Sequence, residues 1–518
     1  MNQDDILTRY ELAMKLQQEY LARTTMTTLI KNDVVHPNWI VDSHCFWYKR
    51  ATKNGSEFRL VNPQSATNEL AFDHKALADA LSNTTKQTID YQNLPLKDVT
   101  ITLAPLQVRF TACDKHWEFK PDTAAFIEIE NVQEGRRSLV GDNQIYSPQF
   151  LPEDQQTLDS PNGTETAFIR DHNIWIRDLT TGDEWALTED GTQDYSYSSA
   201  RCLGIDTAVQ AQWSPDSKRL FTVRRDSRNV IPRTYINYVP LDGSLCPQVK
   251  EYKLPSPGDE HVDPYHLAAI EVSTGQLQAA DYPPIPLVRS GTLVDGFFRA
   301  KLGWWSHDSR HAFFVDVTRG AKAVRVVKWD THSGSTQVLF EETSDTFVKL
   351  CHELLDPLQI LPLPNSDELI WFSERNGWAH LYLYDLKTGK LKHPITEGKW
   401  LVRDLLYYDS ERRELLLRTA ARNPDINPYY ADICKVNIDS RVLTPLVSSC
   451  FDHSVYLFSS CRIMCAILSG NEYGEVNGVS PCGNYLVTTR SRVDTVPETL
   501  LIDRNGEEIL TIEIADVS

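Results

Sequence analysis

From Trp39 onward, apolar and aromatic positions fall in short runs, many alternating with polar ones. Gly, Pro, Asn, Asp and Ser cut these runs every few tens of residues, the pattern of β-strands joined by tight turns. The start of the chain differs. From Asp5 to Leu21 there is no Gly or Pro, apolar residues recur at helical spacing, and acids lead. This predicts a short amphipathic helix within residues 1–35, packed on the body as a clasp.

The strand-rich part repeats itself. Trp213-Ser214-Pro215-Asp216-Ser217 before an apolar run recurs as Trp305-Ser306-His307-Asp308-Ser309. Weaker copies are Ser160-Pro161-Asn162-Gly163 and Ser480-Pro481-Cys482-Gly483, and further outlines lie near residues 43, 111, 366 and 410. In each, an apolar residue ends one strand, the Ser-Pro-Asp/Asn-Gly/Ser element turns the chain, and a β-rich run begins the next. A second hairpin often follows, turning on Asp178 to Gly182, Asp330 to Gly334 or Asp385 to Gly389. Strand, Ser-Pro turn, strand, strand, Asp-x-x-[ST]-Gly turn, strand describes a four-stranded blade. Eight copies predict an all-β chain, an eight-bladed β-propeller over residues 36–518. Their spacings are uneven, so hairpin insertions are expected, chiefly at 231–300. An atypical Cys-rich insert is expected at 455–478.

Charge narrows the function. Against 71 Asp and Glu stand 52 Lys and Arg, a net charge of −19, which repels a phosphate backbone over most of the surface and argues against nucleic acid. No apolar run approaches the ~20 residues needed to span a bilayer, so a membrane partner is not expected. The acidic N-terminus lacks a secretory-signal profile, and ten scattered cysteines contain no Cys-x-x-Cys. A cytoplasmic chain with reduced thiols follows.

Candidate chemistry is sparse. A serine nucleophile of the hydrolase type needs a strained Gly-x-Ser-x-Gly turn, and no such sequence occurs. Gly478-Val479-Ser480-Pro481-Cys482-Gly483 comes nearest, but Pro481 removes a backbone N–H where an oxyanion donor is needed, so it reads as a blade turn. The acid pairs Glu341-Glu342 and Glu507-Glu508 read as solvated pairs in turns. Cys450, Cys461 and Cys465 have no histidine at ligand spacing and read as free thiols. No metal and no cofactor are expected. Strand alternation sends one indole of Trp304-Trp305 to the inter-blade core and the other to the opposite face.

Four stretches carry a resemblance: the run at 213–224, the element at 252–260 with Pro257-Gly258-Asp259-Glu260, the run Ser373-Glu374-Arg375-Asn376-Gly377-Trp378-Ala379-His380-Leu381-Tyr382-Leu383-Tyr384, and Thr489-Arg490-Ser491-Arg492-Val493-Asp494-Thr495. Together they resemble the dipeptidyl-peptidase-IV-like branch of the prolyl oligopeptidase family, over roughly residues 36–515. The resemblance implies an N-terminal eight-bladed propeller that covers an α/β-hydrolase domain and restricts access to its Ser-Asp-His triad. This sequence stops about where that family crosses into the hydrolase, so the catalytic domain is expected to be missing or supplied in trans. The chain alone is expected to be inactive, although the family is one of serine-type dipeptidyl peptidases.

The family's exopeptidases hold a substrate's free N-terminus with paired glutamates on a propeller segment. The matching stretch here is Asp194-Tyr195-Ser196-Tyr197-Ser198-Ser199. Asp194 and Tyr197 fit and are the candidate binding residues, while Ser198 and Ser199 stand where the glutamates are expected. The expected function is the substrate-gating propeller of a proline-directed serine peptidase, with a peptide ligand and, by the resemblance, a homodimeric assembly. The alternative is a free-standing, non-catalytic propeller that binds a protein or peptide.

Overall fold

The computed structural model describes residues 30–123, 125–129, 157–198, 209–238, 246–253, 255–286, 302–350, 358–363, 366–455 and 478–517. The helix expected at the N-terminus lies outside them. The described residues carry eight antiparallel meander sheets, seven of four strands and one, the fourth, of five because its first strand is split in two, plus one two-stranded hairpin. These are the sheets that an eight-bladed β-propeller requires.

The turns work as the repeat implied. In the fourth sheet the Ser214 hydroxyl donates to Asp216 Oδ1 (2.6 Å) and accepts from Arg219 N (3.0 Å), which closes the link from Ala211–Trp213 to Arg219–Asp226. The same bonds recur at Ser306 and Ser160. Consecutive turns are also stapled to each other: Asn162 N donates to Ser217 Oγ and Asp216 N donates to Ser309 Oγ. The tryptophan before the turn has its own task. Trp213 Nε1 donates to the Leu158 carbonyl (2.8 Å) and Trp305 Nε1 to that of Gln212 (3.0 Å), so each indole ties the first strand of its sheet to that of the preceding sheet. Trp304 stacks instead on Phe313, as alternation along the strand requires.

At the Asp-x-x-[ST]-Gly turns the Asp side chain caps two amides. Asp385 Oδ1 accepts from Lys387 N and Thr388 N, both at 2.8 Å, and Gly389 N donates to the Asp385 carbonyl. Gly389 has φ +70°, and a Cβ there would meet the Leu339 carbonyl oxygen at 2.2 Å, so only glycine fits. The amides hold the Asp385 carboxyl below the usual carboxylate range.

One copy of the repeat is out of place. The element near residue 111 links the second and third strands of its sheet, Leu106–Ala112 and Lys115–Lys120, where the others link the first and second. Cys113 and Asp114 turn there with positive φ, which gave the sequence the same outline. A helix was also not anticipated: α1, His74–Thr85, follows the first sheet. Asp73 caps it by accepting from Lys75 N and Ala76 N, and Leu77, Ala78 and Leu81 bury its inner face. It accounts for the long spacing between the first two repeat copies.

Residues 1–148 with 395–518 form one compact unit, and 149–394 form a second. In the first unit, the seventh and eighth sheets share a core through Tyr407, Ile433, Val455 and Leu500. The eighth meets the first through Leu501, Val487, Trp39 and Phe46, and the first meets the second through Phe58, Val108 and Trp117. The eighth and first sheets, at opposite ends of the chain, are joined by polar contacts as well. Glu513 accepts from Tyr48 OH (2.6 Å) and Arg50 Nε (2.7 Å), and Lys31 bridges Asp516. In the second unit, the third and fourth sheets share Ile176, Tyr197 and Leu220, and the fourth to sixth share a larger core around Phe221, Trp329 and Trp371.

Two first strands are interrupted. In the eighth sheet Val455 pairs with Thr488, and the register resumes with Val487 N donating to the Gly478 carbonyl and Val479 pairing with Leu486. Gly478 therefore takes the place in the strand that directly follows Val455, which marks 456–477 as inserted into an otherwise continuous strand; those residues themselves lie outside the described set. In the fourth sheet the same happens between Tyr197 and Gln210, since Tyr195–Ser196 pairs with Arg225 and Asp226 while Ala211 pairs with Thr222.

Beside the first of these breaks sits His453, 1 % exposed, its Nε2 2.8 Å from Ser449 Oγ. Burial, with Arg490 nearby, pushes its imidazole down to about 4. The unfolded chain binds a proton first, near pH 6.5, so native stability falls as pH drops from about 6.5 toward 4. Between pH 7 and pH 5 the wild type should lose about 2 kcal/mol more than His453→Gln, read from urea midpoints. Equal losses in the two proteins would show that the histidine is not buried neutral.

Candidate functional site

The segment singled out by the sequence forms the first half of the fourth sheet's first strand, Tyr195–Ser196, and its flanks. Around it, cations and acids alternate. Arg224 lies over the Tyr195 ring, 3.4 Å from its centroid, and Arg228 lies over the same ring at 4.2 Å. Arg224 pairs with Asp190 at 2.6 Å, Arg228 with Asp226 at 2.7 Å, and Lys253 with Asp194 at 2.8 Å. His266 meets the Tyr195 edge and lies 3.8 Å from Asp226. The Arg228 bond holds the Asp226 carboxyl below the usual range, while burial lowers the His266 imidazole.

The two sequence candidates sit in this cluster in different ways. Asp194 is partly exposed; Lys253 holds one oxygen of its carboxylate, and Ser227 N and Oγ donate to its backbone carbonyl. Tyr197 is buried, and its hydroxyl donates to Asp190 Oδ1 at 3.1 Å. Burial, with Asp190 beside it, pushes that phenol up. Ser198 is buried too, its hydroxyl 2.7 Å from that of Ser196. A serine turned into the sheet cannot take the place of an exposed glutamate. Ser199 lies outside the described residues. The sequence reading missed Asp190, Arg224 and Lys253, which surround the candidates in space but are up to 59 residues away in the chain. Its cue was the resemblance of 194–199 to the family's N-terminus-binding segment, which says nothing of residues distant in the chain.

The acids present lone pairs beyond those their cations occupy. Asp190 is 64 % exposed at the side chain and Asp194 is 42 % exposed. Two such carboxylates can accept hydrogen bonds from an ammonium. The hairpin Pro232–Asn237 with Gln248–Lys253, inside the insertion expected at 231–300, supplies Lys253 to this cluster. Its base is held by Asp259 of the Pro-Gly-Asp-Glu element, which pairs with Arg233 and whose carbonyl accepts from Arg319.

The run at 373–384 has a different use. Glu342, in the last strand of the fifth sheet, Thr336–Thr343, accepts from Trp371 Nε1 (2.8 Å), Ser373 Oγ (2.5 Å) and Arg375 Nη2 (2.7 Å) of the sixth. Arg375 also donates to the Tyr384 hydroxyl (2.8 Å) and lies over the Tyr382 ring. The run is a clamp between sheets. This corrects the reading of Glu341-Glu342 as a solvated turn pair: both lie in a strand, Glu341 pairs with Arg325, and Glu342 is nearly enclosed. Strand alternation sends the two carboxylates to opposite faces.

Among the described residues, no group of three or more His, Cys, Asp and Glu side chains is arranged to hold a metal ion. None of the helices there is long and apolar enough to cross a membrane.

Eight antiparallel blade sheets, the third to fifth of them stapled turn to turn, define an all-β scaffold of the propeller class. Residues 107–471 match the family described as "Dipeptidyl peptidase IV (DPP IV) N-terminal region", and the chain belongs to that family. It is similar to dipeptidyl aminopeptidase B of Saccharomyces cerevisiae, 25 % identical over 370 residues, 65 % of this chain and 41 % of that protein. It is also similar to an Aspergillus flavus protein named "Probable dipeptidyl peptidase 4", 24 % identical over 298 residues, 56 % of this chain and 36 % of the relative. Among solved structures, Porphyromonas gingivalis dipeptidyl peptidase 4 superposes with a TM-score of 0.54 at 16 % identity, covering 93 % of this chain and 60 % of that one. The match thus spans about two-fifths or less of these curated relatives.

Proposed function

We propose that the chain is the substrate-gating propeller part of a proline-directed serine peptidase of the dipeptidyl-peptidase-IV type. It admits peptides to an α/β-hydrolase domain and excludes folded proteins by size. The family membership over residues 107–471 carries this reading. Asp190 and Asp194 are the groups we assign to a peptide's ammonium, with Tyr197 positioning Asp190 from beneath. The setting we propose is cytoplasmic.

A second reading has an observation of its own. Every acid of the candidate cluster already holds a cation, and Ser198 is turned inward. That favours a propeller that binds a protein or peptide without delivering it for cleavage. A fluorogenic Xaa-Pro substrate separates the two. The purified chain should show no turnover by itself, and addition of the α/β-hydrolase domain of a dipeptidyl-peptidase-IV-like protein should produce turnover above that of the hydrolase alone. No gain on mixing would favour the binding propeller. Cleavage by the chain alone, surviving rigorous purification, would overturn the account of its chemistry.

A further inference from the structure

The serine turns between first and second strands share one side-chain arrangement. In three of them the residue two after the serine is Asp216, Asp308 or Asn162, and its side-chain oxygen accepts from the serine hydroxyl at 2.6, 2.5 and 2.7 Å. The same oxygen accepts a backbone amide, from Lys218, Arg310 and Thr164 respectively. The fold therefore builds, at that position, a slot whose donors converge on an electron-rich atom. In the eighth sheet the slot holds a thiol. Ser480 Oγ accepts from Tyr485 N (3.0 Å), as its counterparts accept from their own strands, and lies 3.5 Å from Cys482 Sγ.

A second group faces the same sulfur from another sheet. His44, in the first turn of the first sheet, places Nδ1 3.7 Å from Cys482 Sγ, with its ring held edge-on by Tyr485 at 5.7 Å. The thiol thus has a proton acceptor on one side and a hydroxyl donor on the other. Cys482 is half-buried, unlike the enclosed Cys45 and Cys434, so a small reagent reaches it. Cys450 is more exposed, and among the described residues no hydroxyl or imidazole lies against its sulfur.

We propose that Cys482 is a thiol–disulfide exchange site for small-molecule disulfides, with His44 as its base. His44 Nδ1 takes the thiol proton as Cys482 Sγ attacks one sulfur of the disulfide RS–SR. The S–S bond breaks, the Cys482–S–S–R bond forms, and the departing RS⁻ takes up the proton from His44. The Cys482 sulfur is oxidised and the leaving sulfur is reduced, so no other reactant is needed. Ser480 stabilises the negative charge that develops on Sγ, as its counterparts bond to the Asp and Asn oxygens.

The full chain, reduced and freed of reductant, is mixed with 4,4′-dithiodipyridine. Thiopyridone release is followed by absorbance, and each modified cysteine is located by peptide mapping. Cys482 should react on the order of tenfold faster than the exposed Cys450. His44→Gln, which keeps a polar side chain but cannot take up the proton, should bring Cys482 to within about threefold of Cys450. Cys482→Asn restores the residue type of Ser160-Pro161-Asn162 and should fold with an unchanged melting temperature, lacking the fast phase assigned to Cys482. Labelling of Cys482 no faster than Cys450, or a rate unaffected by His44→Gln, would overturn the proposal.

Discussion

Glu342→Ala is expected to destabilise the protein by about 3–5 kcal/mol, because it leaves the fully buried Trp371 and Ser373 donors unsatisfied and the partly exposed Arg375 without its acid. The substitution strips three donors at once: the Trp371 indole, the Ser373 hydroxyl and the Arg375 guanidinium. Arg375 would be left between Tyr382 and Tyr384 with its charge uncompensated. The neighbouring Glu341→Ala is the control, because its pair with Arg325 is 40 % exposed on the acid side and should be worth no more than about 1 kcal/mol. Urea unfolding of both variants, followed by tryptophan fluorescence, measures the contrast. Equal, small effects would mean that the fifth and sixth sheets are not clamped through Glu342.

Trp329→Ala is expected to cost about as much, roughly 3–5 kcal/mol, by a different route. Trp329 is fully buried in the core shared by the fourth, fifth and sixth sheets, where Phe221 meets its ring edge at 5.5 Å. Removing the indole leaves a cavity that strands hydrogen-bonded on both sides cannot close: Trp329 pairs with Ala312 on one side and Thr336 on the other. Trp329→Phe keeps most of the volume and should lose less than half as much. A shift of the urea midpoint ordered wild type, Phe, Ala is the expected series. An Ala variant within about 1 kcal/mol of wild type would show that this core relaxes freely.

Much of the fold was legible because the turns are local. Ser214 bonds to Asp216 and Arg219, and Asp385 to Lys387, Thr388 and Gly389, all within five residues, so the repeat could be read as a sheet count. The same locality misled at residue 111, where a turn of similar composition serves a different pair of strands. Helix α1 left a local signal, the Asp73 cap before Leu77, Ala78 and Leu81, which the surrounding strand pattern hid.

The candidate site was less legible, for a physical reason. What Asp194 and Tyr197 do depends on Lys253, Asp190 and Arg224, brought there by the hairpin, a neighbouring turn and the adjacent strand. Glu342 was misread on the same account, since its donors lie at 371–375 on another sheet. The insertion at 455–478 showed in composition, and the strand register across it explains how the sheet accommodates it without losing a pair.

Size selection is the core of the functional reading, and one comparison tests it. The α/β-hydrolase domain of a dipeptidyl-peptidase-IV-like protein is given the same Xaa-Pro terminus on a short peptide and on a folded protein, with and without this chain. The account predicts that adding the chain leaves peptide cleavage intact and suppresses cleavage of the folded substrate. Equal cleavage of both substrates in the presence of the chain would contradict it.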